Sequence, residues 1–232
     1  MGSRILALAT TDEFEMLQVS GFMPFLYVSI AFLAGLAIGL CRRAYLRRFQ
    51  NYGEALLSRC VQQNFDAPDY HLMNHLTLPL RGGTTQVDHV LVSRFGVFVI
   101  ETKDYKGWIF AGEKHRSWTQ VLFNSKFRFQ NPILQNQMHV QVVRSLLDFL
   151  PPEAIKSVVV FTGDAEFRTK MPEGVFNLPQ FMGFIQMHKE EVMSLNRMQF
   201  CVGRLETMRL AVTRETDVEH VENIHRRHRK LR

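Results

Sequence analysis

QVDHVLVSRFGVFVIETK, residues 86–103, is the stretch whose reading decides the fold. Two β-like runs, 86–93 and 97–103, flank Arg94-Phe95-Gly96, and an antiparallel hairpin is the simplest arrangement for them. In a strand, Glu101 and Lys103 are two apart and share one face, while Thr102 points to the other. If Phe95-Gly96 is a two-residue loop, Asp88 falls opposite Lys103. A four-residue loop, 93–96, puts Asp88 opposite Glu101. Both registers gather the three side chains, whereas a three-residue loop puts Asp88 opposite Thr102, on the wrong face.

Two carboxylates converging between strands of Val, Leu, Ile and Phe are costly to bury unpaired. That points to a hard divalent cation with oxygen ligands, Mg²⁺ or Mn²⁺. Such a metal lowers the pKa of a bound water, and a nearby ammonium orients the nucleophile and offsets developing charge. This is the equipment for phosphodiester hydrolysis. A bare Glu-x-Lys is usually a solvated strand face with an ion pair; the acid at hairpin spacing shifts the reading towards a site.

Working outward, residues 52–65 read YGEALLSRCVQQNF, a helix with Ala55, Leu56, Cys60 and Val61 on its apolar stripe. A turn cluster at 66–69 precedes a strand over 70–80, with residues 81–84 as the turn before the hairpin. Short strands are expected around Trp108 and Trp118. Asn131-Pro132 opens a helix to Leu150, stopped by Pro151-Pro152, and IKSVVVF, residues 155–161, reads as a buried strand. The fold class is α/β.

The composition agrees. Of 232 residues 46% are hydrophobic and 22% charged, which excludes intrinsic disorder. Cys41, Cys60 and Cys201 form no C-x-x-C pair, which excludes a disulfide framework and a cysteine zinc site and suits a reducing compartment. The net charge of +6 is concentrated in two clusters, 42–48 and 226–232, leaving the remainder net acidic.

Residues 22–40, FMPFLYVSIAFLAGLAIGL, carry no charge over nineteen positions. As a helix they extend roughly 29 Å, the thickness of the hydrocarbon core. Pro24 falls in the first turn, where its missing N–H costs little. Basic residues follow the run instead of preceding it, unlike a cleaved leader. Arg42, Arg43, Arg47 and Arg48 follow, against Arg4 outweighed by Asp12, Glu13 and Glu15. A single-pass inner-membrane helix with the bulk of the chain, C-terminal to it, in the cytoplasm is expected.

The sequence resembles the NERD (nuclease-related) domain family, a branch of the PD-(D/E)XK restriction-endonuclease-like superfamily, over roughly residues 52–150. The matching blocks are Gly53-Glu54, residues 86–89, residues 96–103, Lys106-Gly107-Trp108, Trp118, Asn131-Pro132 and Gln135-Asn136. The resemblance implies a restriction-endonuclease-like core, a mixed β-sheet flanked by helices. It implies that Asp88 and Glu101 bind metal, that Lys103 is the catalytic lysine, that Glu54 completes the metal site and that Gln135 lies near the scissile phosphate.

Other features are weaker. His71 and His75 lie four apart in a strand, the wrong setting for a helical metal pair. His89 should point away from Asp88's side. Phe127 and Phe129 flank Arg128 and invite base stacking, although alternate aromatics more often face a core. The methionines from Met182 to Met198 read as packing filler. The tail 225–232, HRRHRKLR, suits anionic lipid or phosphate as well as the basic end of a helix.

The expected organisation is an extracytoplasmic segment 1–21, a transmembrane helix 22–41, a basic linker 42–49, a nuclease-like domain 50–165 and a helical extension 166–232 with a basic tail. The expected function is metal-dependent cleavage of nucleic acid, DNA before RNA. The alternative is a catalytically inactive nucleic-acid-binding or scaffold module tethered to the membrane.

Overall fold

The computed structural model describes residues 27–33, 35–36, 52–80 and 83–210. The chain divides into two compact units, Met1–Gln50 and Asn51–Arg232. In the first, residues 27–33 and 35–36 are helical, with Tyr27, Val28, Ile30, Phe32, Leu33 and Leu36 exposed. Among the described residues no helix is long and apolar enough to cross a membrane. The expected span 22–41 extends beyond the described residues at both ends. The basic linker 42–49 and the tail 225–232 lie outside them altogether.

The second unit is built from α1 (Tyr52–Asn64), β1 (Tyr70–Leu80), β2 (Gly83–Ser93), β3 (Gly96–Lys103), β4 (Gly107–Phe110), β5 (Ser117–Leu122) and β6 (Ser125–Gln130). These are followed by α2 (Pro132–Leu146), β7 (Ile155–Phe161), β8 (Ala165–Phe167), β9 (Val175–Asn177), α3 (Leu178–Met187) and α4 (Leu195–Met208). A mixed five-stranded sheet has the order β1-β2-β3-β7-β9, and a second, four-stranded sheet the order β6-β5-β4-β8. The meander β1-β2-β3 is antiparallel, while β7 is parallel to β3 and β9 to β7. Parallel neighbours need a long crossover, and the one from β3 to β7 contains most of the second sheet and α2.

Burial dictates the layers. On one face of the large sheet Val90, Val92, Val97 and Val99 pack with Val140, Val143 and Leu146 of α2 and Cys201 and Leu205 of α4. On the other, Leu91, Phe98, Ile100 and Val158 pack with Leu57 and Val61 of α1 and Phe181 and Ile185 of α3. A third cluster, Ile109, Trp118, Val159, Phe161 and Val175, joins the two sheets.

Several boundaries differ from the sequence reading. Gly83 and Thr84 belong to β2, where they pair with Leu80 and Pro79, instead of to the expected turn 81–84. The helix α2 stops at Leu146 instead of Leu150, because Leu147 and Leu150 leave the helical path to bury in the core. The extension beyond residue 165 is not only helical: β8 and β9 pair into the two sheets. The buried stripe of α1 is Gly53, Glu54, Leu57, Ser58 and Val61, one residue round from the expected Ala55, Leu56, Cys60 and Val61. The helix turns this way because Gly53 packs so closely on Thr162 and Asp104 that a Cβ would collide with both. Glu54 is thereby carried inward.

Capping sets the helix starts. Asn131 accepts from Ile133 N–H at 2.9 Å ahead of Pro132, and Asn177 and Gln180 make a reciprocal capping box at α3. Fully buried Asn131 also donates to the carbonyls of Glu113 and His115 at 3.0 and 2.8 Å, tying the β4–β5 loop to the start of α2.

Candidate active site

Ser93 pairs with Gly96, so the β2–β3 turn is Arg94-Phe95. Gly96 takes φ 144°, which an L side chain rarely adopts, and Ser93 Oγ closes the turn by donating to its carbonyl at 2.8 Å. This register continues to place Asp88 opposite Glu101, as in the four-residue alternative, although only two residues form the loop. The ladder ends at His89 and Ile100. Beyond it the Asp88 carboxylate accepts from Thr102 N–H at 2.8 Å.

The β1–β2 ladder breaks at the same level. Asn74 pairs with His89 and Leu76 with Val87, leaving out His75 and Asp88. Met73 and Leu76 join one core, as do Val90 and Val87, although each pair is three residues apart. Strict alternation would send them to opposite faces, so the pleat changes phase at His75 and Asp88 in both strands. His75 adopts φ 50°, an uncommon and costly conformation for a side-chain-bearing residue in a strand.

Around this break the charged groups meet. Glu101 is 1% exposed. Lys103 Nζ donates to Glu101 Oε1 at 2.6 Å and to Gln135 Oε1 of α2 at 3.3 Å. His139 Nε2, one helical turn after Gln135, lies 3.2 Å from Glu101 Oε2. The other ring nitrogen, Nδ1, is 2.9 Å from Thr85 Oγ1. A hydroxyl donating to Nδ1 leaves an Nε2–H facing the carboxylate, which is the favourable tautomer. On the α1 side, Glu54 Oε2 lies 3.5 Å from His75 Nδ1. His89 is buried with its ring centroid 6.3 Å from that of His75 and its Nδ1 2.8 Å from Asn74 Oδ1, which also accepts from Ser58.

Asn136 positions α2. Its buried amide donates to the carbonyls of Val99 at 2.8 Å and Val158 at 3.0 Å, and to Ser157 Oγ at 2.9 Å. The helix is thus pinned across β3 and β7, with Gln135 and His139 held over the end of β3.

Electrostatically the site is short of positive charge. Burial, then the charges of Asp88 and Glu101, push Glu54 up to about 8. Asp88 is likewise raised, by burial first and then by Glu101. Burial works against ionised Glu101, but contact with His139 and Lys103 outweighs it and holds that carboxyl below its usual range. Lys103 is held above the usual lysine range, because Glu101 and then Asp88 outweigh its desolvation. Three carboxyl groups therefore share one ammonium, a balance that a divalent cation would relieve. Among the described residues no group of three or more His, Cys, Asp or Glu side chains is placed so that it could hold a metal ion as it stands.

The structure thus brings Asp88, Glu101, Lys103 and Gln135 together, with Glu54 coupled to them electrostatically. Sequence reasoning missed His139, Thr85 and His75. His139 was within reach of it, since i and i+4 on a helix share a face and Gln135 was already assigned there. His75 had no such signal, because a phase change in two strands leaves the local pattern looking like ordinary alternation. Of the aromatics weighed for stacking, Phe129 packs inward against Tyr105 and Trp118, while Phe127 is 51% exposed and Arg128 between them is exposed too.

A protein family model described as nuclease-related domain matches residues 50–162. An uncharacterized protein of Bacillus anthracis is 40% identical over 97 residues, which cover 41% of this chain and 45% of that relative. The match spans under half the length of the curated relative. No solved structure matches. The order Glu54, Asp88, Glu101, Lys103, Gln135 lies wholly within residues 50–162, the stretch of this chain that is similar to the nuclease-related domain.

Proposed function

We propose that this domain hydrolyses phosphodiester bonds in nucleic acid, DNA in preference to RNA. The observation that carries the reading is the meeting of Asp88, Glu101 and Lys103 at the point where β2 and β3 part, with Gln135 reaching Lys103 from α2. The acid-rich site fits Mg²⁺ or Mn²⁺ held by Asp88 and Glu101, with Glu54 as the third carboxylate. The metal would supply Lewis acidity towards the phosphate and a water of lowered pKa. Lys103 contributes a buried ammonium that faces the same space and offsets charge developing on phosphate oxygens. Gln135 holds that ammonium from the far side, and His139 fixes the orientation of the Glu101 carboxylate. Thr102 N–H holds Asp88.

The test uses the full chain in detergent with end-labelled DNA. Cleavage that needs Mg²⁺ or Mn²⁺ and disappears in Asp88→Asn and Lys103→Ala is expected. Equal cleavage by wild type and Lys103→Ala would sink the assignment.

A second reading rests on a specific feature. Both oxygens of Glu101 lie against a basic group, one at Lys103 and one at His139, an arrangement that offsets the carboxylate's burial without a metal. On that reading the domain is a non-catalytic nucleic-acid-binding or scaffold module. DNA binding that persists without any metal-dependent cleavage would select it.

The exposed apolar residues among helical residues 27–33 and 35–36, with the uncharged run around them, support anchoring of the chain through residues 22–41. The arginines of 42–48 support a single-pass inner-membrane orientation with the nuclease-related domain in the cytoplasm, and the 225–232 tail is suited to anionic lipid or phosphate. Resistance of the membrane-bound protein to alkaline extraction is expected, and its release into the soluble fraction would count against the anchor.

A further inference from the structure

The four-stranded sheet has an inner face spent on packing and an outer face left exposed. Inward go Ile109, Trp118, Phe129 and Phe167. Outward, β4 presents Trp108 and Phe110, 44% and 41% exposed. The register sets Val121 and Thr119 of β5 beside them, and Lys126 and Arg128 of β6 beyond those. On the opposite flank the Arg168 guanidinium lies 4.2 Å above the Trp108 ring while pairing with Glu166 at 3.0 Å. Cations thus stand on both sides of this pair of rings, Lys126 and Arg128 beyond β5 and Arg168 lying on the face of Trp108, and the neighbouring acid Glu166 is already paired.

The hairpin joining β5 to β6 adds a second observation. Leu122 pairs with Ser125, so the turn is Phe123-Asn124, and Phe123 stands 94% exposed at φ 52°. A positive φ at the first central position of such a turn is normally given to glycine. Here a phenyl ring is held in solvent at a conformational cost.

We propose that this outer face binds single-stranded nucleic acid, with bases stacking on Phe110 and on the planar Arg168 guanidinium that lies over Trp108, and phosphates met by Lys126 and Arg128. Charge complementarity selects the occupant: an apolar protein partner would not call for cations on both flanks of the rings. Base faces are open to such rings only when the strand is not stacked in a duplex. Trp108 follows Lys103 by five residues, at most about 18 Å of chain, so the rings lie within a few nucleotides' length of the acid cluster. The inference rests on the nuclease reading and names the form of its substrate.

The experiment measures anisotropy of fluorescein-labelled dT20 with the full chain in detergent and EDTA, and cleavage separately with Mg²⁺. Wild type should bind dT20 more tightly than a blunt duplex of the same length. Trp108→Ala/Phe110→Ala should weaken binding at least about tenfold. Lys126→Ala/Arg128→Ala, at exposed positions that carry no packing, should lower the salt slope of log K by about 1.4. If the aromatic variant loses its circular dichroism melt, the charge variant decides. Unchanged binding and salt slope in the charge variant, a preference for duplex, or capture of anionic phosphatidylglycerol vesicles in place of dT20 would each overturn the proposal. Binding lost in the variants while wild type never cleaves would leave this surface standing and remove only the nuclease reading.

Discussion

The run from Gly96 to Phe110 passes through two opposite environments. At Glu101 and Lys103 charge is buried, and Lys103 Nζ is held by Glu101 and Gln135 while His139 faces the other carboxylate oxygen. At Trp108 and Phe110 apolar rings are exposed and charge surrounds them in water. In the first region burial raises Glu54 and Asp88, and orientation is enforced by His139, Gln135 and the Thr102 N–H. In the second, the Glu166–Arg168 pair is solvated and worth little on its own. Chemistry needs the first environment, where a small change in charge is strongly felt, and reversible contact with a long polyanion suits the second.

The largest effect expected on this contrast is catalytic. Asp88→Asn keeps an acceptor for Thr102 N–H while removing a charge that burial already disfavours, so cleavage should fall by about 10² to 10⁴ with no loss of thermal stability. Residual activity near wild type would break the division of roles. Lys103→Ala should also destabilise, by roughly 3 to 5 kcal/mol, because Glu101 loses its buried cation. Chemical denaturation would measure the difference.

Asn136→Ala touches no reacting group but releases α2 from β3 and β7. A loss of about 1 to 3 kcal/mol is expected, with reduced cleavage through misplacement of Gln135 and His139. Full stability in this variant would mean that α2 is held by packing alone.

The buried region should also respond to pH in a way the exposed one does not. A carboxyl whose native pKa is raised contributes stability that is fully present below the unfolded value and lost as pH rises through the native one. For Glu54 the window runs from 4.5 to about 8. Metal-free wild type should lose melting temperature across it, and Glu54→Gln should flatten the loss. A wild-type profile that rises through this window would contradict the shortage of positive charge in the site.

The smallest effect belongs to the exposed side. Phe123→Gly relieves the positive φ and should stabilise by about 1 kcal/mol while weakening binding of single strands. Stabilisation without weaker binding would make the phenyl a tolerated accident of the turn.

Much of this was legible in the sequence because it depends on neighbours along the chain. Alternation in 86–103 and the spacing of Glu101 and Lys103 were enough to predict a hairpin with its acids and lysine together, and Asn131-Pro132 marked the start of α2. The opening of α1 was also legible, but not the way it turns, since that depends on Gly53 meeting Thr162 and Asp104, residues far along the chain. His75 escaped for the same reason: its conformation is imposed by two neighbouring strands.

By itself, then, the sequence determined the α/β alternation, the uncharged run at 22–40, and a hairpin that gathers Asp88, Glu101 and Lys103 in either admissible register. Those properties follow from periodicity and charge within a few residues. Only the tertiary structure decided that Arg94-Phe95 is the turn, that the pleat changes phase at His75 and Asp88, that His139 faces Glu101, and that a second sheet displays Trp108 and Phe110. Each of these depends on which distant segments pack together, and packing is settled by burial over the whole domain instead of by local pattern.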